Sequence, residues 1–102
     1  MEIIKILSEQ IGEELDDAEH YAQMANQWKE EFPDTAKLFA DLANAEMDHQ
    51  ARLHDHVVRL INKVKSEKGA PPPQMLGVYN YLHAKHVDHA AKIMALQKIY
   101  NT

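Results

Sequence analysis

The chain has no cysteine among its 102 residues. Without thiols it can form no disulfide bond, no zinc finger and no thiolate-held iron–sulfur or rubredoxin-type centre. Histidine is abundant instead, with seven residues, and supplies the nitrogen donors that remain. Glycine is scarce, with three residues, and three of the four prolines stand together at 71–73. Because turn-forming residues are few, they divide the chain into a small number of long segments.

An excess of positive charge and long apolar runs are also missing. The formal net charge is −5 and there is no basic stripe, which argues against a nucleic-acid partner. No apolar run is long enough to span a bilayer, so we expect no membrane association. Residues 1–10 carry acids rather than a basic segment followed by an apolar one, which predicts no signal peptide and a cytoplasmic location. The length predicts one domain over 1–102.

Apolar residues recur at helical spacing in three segments, and no segment alternates as a strand does. We predict helices over about 3–31, 35–67 and 74–100, with a proline-rich linker at 69–73. Since only a short turn at Pro33 joins the first two helices, they must form an antiparallel hairpin. The pattern leaves three roles open for the third helix, which would pack on the outside of the bundle, cross to a partner chain or join dimers into a larger ring.

The predicted hairpin has more apolar surface than one chain can cover. Two helices of about 30 residues are each roughly 45 Å long. A third helix covers only part of such a face, and a chain of this size has a poor surface-to-volume ratio. We therefore expect an all-α fold in which two chains pair into a four-helix bundle, as a homodimer or a larger homo-oligomer.

Two acidic residues interrupt the apolar stripes of this hairpin. Glu14 stands in the stripe of the first helix, and Glu46 stands with His49 in the stripe of the second. A carboxylate in such a stripe is costly unless something neutralises it, and a bound metal is the simplest explanation. Residue counts from the turn place Glu14 and Glu46 at different heights, with a mismatch of roughly two helical turns.

These residues match half of a known ligand set. A di-iron carboxylate site in a four-helix bundle takes one Glu from each of two helices and a Glu-x-x-His step from each of the other two. One chain offers Glu14 together with Glu46 and His49, and a two-fold symmetric dimer would supply the rest. Iron(II) accepts both carboxylate oxygen and imidazole nitrogen.

The segments ELDDAEHYA at 14–22 and FADLANAEMDH at 39–49 resemble the ferritin-like superfamily, most of all its rubrerythrin-like and encapsulated-ferritin branches. The resemblance spans about 11–61. It implies Glu14, Glu46 and His49 as metal ligands and Tyr21 as a neighbouring group that assists the reaction. It also implies a full site built across a dimer, as in the encapsulated branch, with a protein shell as a further partner.

The chain departs from both branches. A full rubrerythrin carries two copies of the helix pair and a cysteine-bound iron domain, whereas this chain has one pair and no cysteine. The stretch 79–100 has no Glu-x-x-His step, and residues 98–102 show no cargo-loading tail of the encapsulated type. Because of these departures, no feature of the sequence itself indicates that the protein is packaged in a shell.

The resemblance implies a ferroxidase-type activity, in which Fe(II) is oxidised for iron storage or for removal of peroxide and oxygen. Two alternatives stay open. One is a non-enzymatic helical oligomerisation module, and the other is a non-redox protein that binds Zn or Mn, since the ligand set does not choose the metal. His83, His86 and His89 form either a solvated row or, through His86 with His89, a minor metal site. His54 and His56 are expected to be exposed.

Overall fold

The computed structural model describes residues 2–102, and this part of the chain forms three α-helices with no strand. Helix α1 spans Glu2–Trp28, α2 spans Pro33–Lys68 and α3 spans Pro73–Tyr100. The all-α class with a long hairpin and a third helix is confirmed. Met1, the first residue of the expected domain, lies outside the described residues.

The turn between α1 and α2 is tight. Helix α1 ends at Trp28, three residues earlier than expected, and α2 begins at Pro33, two residues earlier. Phe32 donates its backbone N–H to the Trp28 carbonyl at 2.9 Å. Pro33 then occupies the first turn of α2, where its missing N–H leaves no helical hydrogen bond unmade.

The second turn reverses the chain at Gly69. This residue has φ 83°, a left-handed conformation that favours glycine, and its N–H donates to the Lys65 carbonyl at 3.1 Å. Three prolines follow. Pro71 is buried, and Pro73 opens α3, so the linker packs against the bundle.

Helix α1 lies at the centre of a rod about 55 Å long. It packs along α2 on one side and along α3 on another, while α2 and α3 touch at only a few positions. Because two helices cover α1, its buried residues recur in steps of four and three: Ile4, Ser8, Ile11, Leu15, Ala18, Ala22 and Ala25. The small side chains near the turn let α1 and α2 approach closely.

One edge of the hairpin stays only half covered. The α1 side of this edge has half-buried residues seven positions apart, which include Glu14 and Tyr21, and the α2 side includes the exposed Leu38. We call this surface the open face: Leu7, Glu14 and Tyr21 of α1 with Leu38, Leu42, Glu46, His49 and Leu53 of α2. Helix α3 lies on the opposite flank of α1 and leaves the open face uncovered.

Within residues 2–102, no helix combines the length and apolar character needed to cross a membrane.

Candidate metal centre

The tight first turn brings the two interrupted stripes into register. Glu14 lies 14 residues before Trp28, the end of α1, and Glu46 lies 13 residues after Pro33, the start of α2. The mismatch in height inferred from the sequence is therefore wrong. The sequence pattern predicts a first helix that ends at residue 31 and a second that begins at residue 35, whereas the observed ends at Trp28 and Pro33 bring the two glutamates to the same height.

Glu14, Glu46 and His49 form one compact group. Each offers a ligand atom, and these three atoms all lie within 4.8 Å of one another. His49 Nδ1 is 3.7 Å from Glu14 Oε2 and 3.5 Å from Glu46 Oε1. The two Glu side chains are 17% and 19% exposed, whereas that of His49 is 50% exposed. The group therefore reaches from the helix interface to the open face.

The two carboxyl groups compete for ionisation. A hydrogen bond with Glu14, together with burial, raises the pKa of Glu46 to about 7. The same hydrogen bond lowers the pKa of Glu14, which also accepts a hydrogen bond at 3.0 Å from Gln10 Nε2. Two carboxylates in one site hold a shared proton because ionising both is costly. A cation bound between them would remove that cost.

The donor set suits a divalent ion such as Fe(II). It combines two hard carboxylate oxygens with one imidazole nitrogen, and the two negative charges balance the charge of one divalent ion. Small rotations of three half-buried or exposed side chains would bring their ligand atoms round one ion. An open groove of about 630 Å³ beside the group, lined in part by Arg52, His56 and Arg59, gives access from solvent.

Tyr21 does not join this group. Its ring stacks on that of Phe39 with centroids 6.2 Å apart, two turns of α1 beyond Glu14. It lies on the open face, half buried. A part for Tyr21 in the reaction therefore stays a prediction.

The sequence pattern did not predict a role for Gln10. Its side chain donates a hydrogen bond to Glu14 within α1, and the only sequence feature that could have indicated this contact is its position four residues before that glutamate.

The histidines of α3 lie elsewhere. His89 Nε2 is 3.2 Å from Glu19 Oε1, and the same carboxylate oxygen is 3.1 Å from Lys92 Nζ. His89 is thus tied to α1, and a metal role for His86 with His89 stays a prediction. His54, expected to be exposed, is half buried, and its ring stacks on that of His83; His56 is exposed as expected.

A helical hairpin with a glutamate on one helix facing a Glu-x-x-His step on the other defines a ferritin-like carboxylate–histidine metal protein. The family model for rubrerythrin matches residues 5–97, nearly the whole chain. The chain therefore belongs to the rubrerythrin family, and it is an iron-binding protein of the di-iron class. The match takes in α3, beyond the 11–61 span of the resemblance. No curated protein and no solved structure matches the chain.

The shared proton predicts a pH dependence of the metal-free protein. Because the folded state raises the pKa of Glu46 to about 7 from an ordinary value of 4.5, the folded state binds this proton more tightly than the unfolded state does. The resulting stabilisation is complete below about pH 4.5 and is lost as pH rises through 7. The lowered pKa of Glu14 affects the stability only at lower pH, below the range in which Glu46 titrates.

Glu46→Gln should remove this loss, because a neutral amide can donate to Glu14 at every pH. The measurement is urea unfolding of both metal-free proteins between pH 5 and 8. The wild type should lose stability relative to Glu46→Gln as pH rises. Taking the difference between the two curves cancels the titration of the histidines that they share. Parallel curves would show that the two carboxyl groups do not share a proton.

Proposed function

We propose that two copies of this chain pair through the open face and build a di-iron site that oxidises Fe(II). One observation carries the proposal. Glu14, Glu46 and His49 converge at the open face, and a two-fold symmetric di-iron site between two chains needs half of its ligands on the paired face of each chain. His49, half exposed in the single chain, faces the space that a partner would fill.

Each residue of the group has a different part in binding the metal. Glu14 and Glu46 supply two carboxylates per chain, so a dimer offers four negative charges to two Fe(II) ions. His49 completes the donor set of each half, and Gln10 orients Glu14. The bound pair of irons would supply the electrons and the open positions that dioxygen or peroxide requires. Such an activity would serve iron storage or the removal of oxygen and peroxide.

The apolar part of the open face supports pairing. Leu38 is 56% exposed in the single chain, and Leu42 and Leu53 are only half buried beside the ligands. Stacking two such faces would bury these side chains and exclude water from the carboxylates. Exclusion of water strengthens the attraction between the carboxylates and a cation.

The test is an aerobic titration with Fe(II), following ferric absorbance. Glu46→Ala and His49→Ala should slow oxidation by more than the roughly 10- to 100-fold loss that follows removal of groups outside the ligand shell. His20→Ala is the matched control, because it removes an exposed histidine of α1 that neither belongs to the ligand group nor lines the groove beside it. It should oxidise iron like the parent.

Metal content separates this proposal from the alternatives. A site built across a dimer predicts about two irons for every two chains. If Glu46→Ala and His49→Ala oxidise iron as fast as the parent, the ligand assignment is wrong. If the parent binds Zn or Mn at these residues but leaves Fe(II) unoxidised, the non-redox alternative holds instead.

A further inference from the structure

A second cluster of titratable side chains lies in the cleft between α2 and α3. The cleft holds about 350 Å³ and has a largely apolar wall that includes Ile11, Ala90 and Met94. Three histidines line it: His54 from α2 and His83 and His86 from α3. Around α2, His54 lies about 140° from His49 at 3.6 residues per turn. The cleft is therefore separate from the metal centre and from the open face.

The rings of His54 and His83 form a direct contact between α2 and α3. They stack with centroids 4.8 Å apart and an interplanar angle of 19°, and Tyr79 stacks on the other side of His83 at 5.9 Å. The Asp55 carboxylate lies 3.8 Å from His54 Nδ1. At this distance the carboxylate makes no hydrogen bond to His54, so it does not fix which ring nitrogen carries the proton.

His86 stands one turn beyond His83 on the same face of α3. It is half buried against α1, where its Nε2 lies close to Gly12, 3.6 Å from the place that a Cβ at this position would occupy. Burial, together with the nearby His83, His89 and His54, lowers the pKa of His86. The ring is therefore neutral at neutral pH, which is the form that binds metals.

His89 is not part of this cluster. Its Nε2 lies 3.2 Å from Glu19 Oε1 on α1, so a carboxylate already binds one of its ring nitrogens, and Asp16 makes a longer contact of 3.9 Å to the other. The three cleft histidines, in contrast, make no hydrogen bond to a carboxylate within residues 2–102, apart from the longer contact between His54 and Asp55.

We propose that His54, His83 and His86 bind a divalent transition metal of the zinc type in the α2–α3 cleft. Neutral imidazoles suit Zn(II), Ni(II) and Cu(II). The ring nitrogens of the three histidines do not converge in the structure, so the stacked rings of His54 and His83 have to turn about their side-chain bonds to bind one ion. The bound ion would tie α3 to α2, which otherwise meet at few positions, among them the hydrogen bond from Gln97 to Asn44 at 2.8 Å.

The experiment counts Zn(II) in a protein whose first site has been removed. In the Glu46→Ala/His49→Ala variant, titration with Zn(II) by calorimetry should show one ion per chain. Adding His54→Ala or His86→Ala should remove that ion, while adding His56→Ala should leave it. Co(II) supplies a second readout, because its visible absorption bands report coordination by nitrogen.

Two further measurements separate this proposal from the di-iron proposal and from a loss of folding. In the otherwise unchanged protein, His54→Ala should lower Zn(II) binding by one equivalent and leave Fe(II) oxidation unaffected, so failure here is distinct from failure of the di-iron proposal. Should His54→Ala fold poorly, His54→Gln replaces it, with helical content checked by circular dichroism. If the cleft variants bind as much Zn(II) as their parent, the histidines only pack α3 and the proposal is overturned.

Discussion

Leu38→Asp should convert the protein to single chains and empty its metal centre. Leu38 is 56% exposed in the single chain, so a charge there should cost the isolated fold little. In a dimer through the open face, the same aspartate would be buried without a partner. Such an unpaired charge costs roughly 3 kcal/mol or more, which weakens association at least about a hundredfold.

The expected result is a halved mass in solution together with loss of bound iron and of Fe(II) oxidation. Light scattering after size exclusion measures the mass, and elemental analysis measures the iron. Val78→Asp is the matched control, because Val78 is 61% exposed on α3, on the flank away from the open face. It should keep both the mass and the iron.

Three outcomes of this experiment differ in meaning. Loss of both mass and iron supports a site shared between chains. If the mass halves while iron oxidation persists, one chain suffices and the shared site is wrong. If the mass stays unchanged, the open face around Leu38 is not where the copies meet.

The ligand group could be predicted from the sequence because its signals are local. Glu46 and His49 lie three residues apart on one helix, and Glu14 interrupts an apolar stripe in which a carboxylate has no other evident reason to stand. Whether these residues meet depends on where the two helices end at the turn, and a sequence pattern places helix ends only to within a few residues. Each residue of error at the turn moves the two helices by 1.5 Å against each other, which is why the predicted heights disagreed.

The place of α3 could not be predicted in this way. Its apolar stripe is interrupted by His86 and His89, and its contacts to α1 depend on pairs such as His89 with Glu19, about 70 residues apart in the chain. Only packing shows that α3 covers the flank of α1 opposite the metal group. This shifts the buried row of α1 toward α3 and leaves Glu14 at the rim of the core rather than in its middle.

Ile93→Ala should produce the largest loss of stability among changes to α3. Ile93 is the one fully buried residue of α3 within the described chain, whereas Tyr79, Ala90 and Leu96 pack against the core only half buried. Truncating a buried isoleucine costs about 2–5 kcal/mol through lost burial and the cavity left behind. For a domain near 100 residues, each kcal/mol lowers the melting temperature by about 4–8 °C.

Met94→Ala provides the comparison, since Met94 is the next residue and is 58% exposed. Met94→Ala should lower the free energy of unfolding by no more than about 0.5 kcal/mol. Thermal unfolding of the two metal-free variants measures the difference.

The same variant shows whether α3 supports the metal centre or only the fold. Because α3 packs on the flank of α1 away from Glu14, Ile93→Ala should oxidise Fe(II) like the parent at temperatures well below its lowered melting point. The open face remains intact in this variant, so its mass in solution should also be unchanged. A folded Ile93→Ala protein that loses iron would show that α3 holds α1 in the position the ligands require, which would make it part of the site.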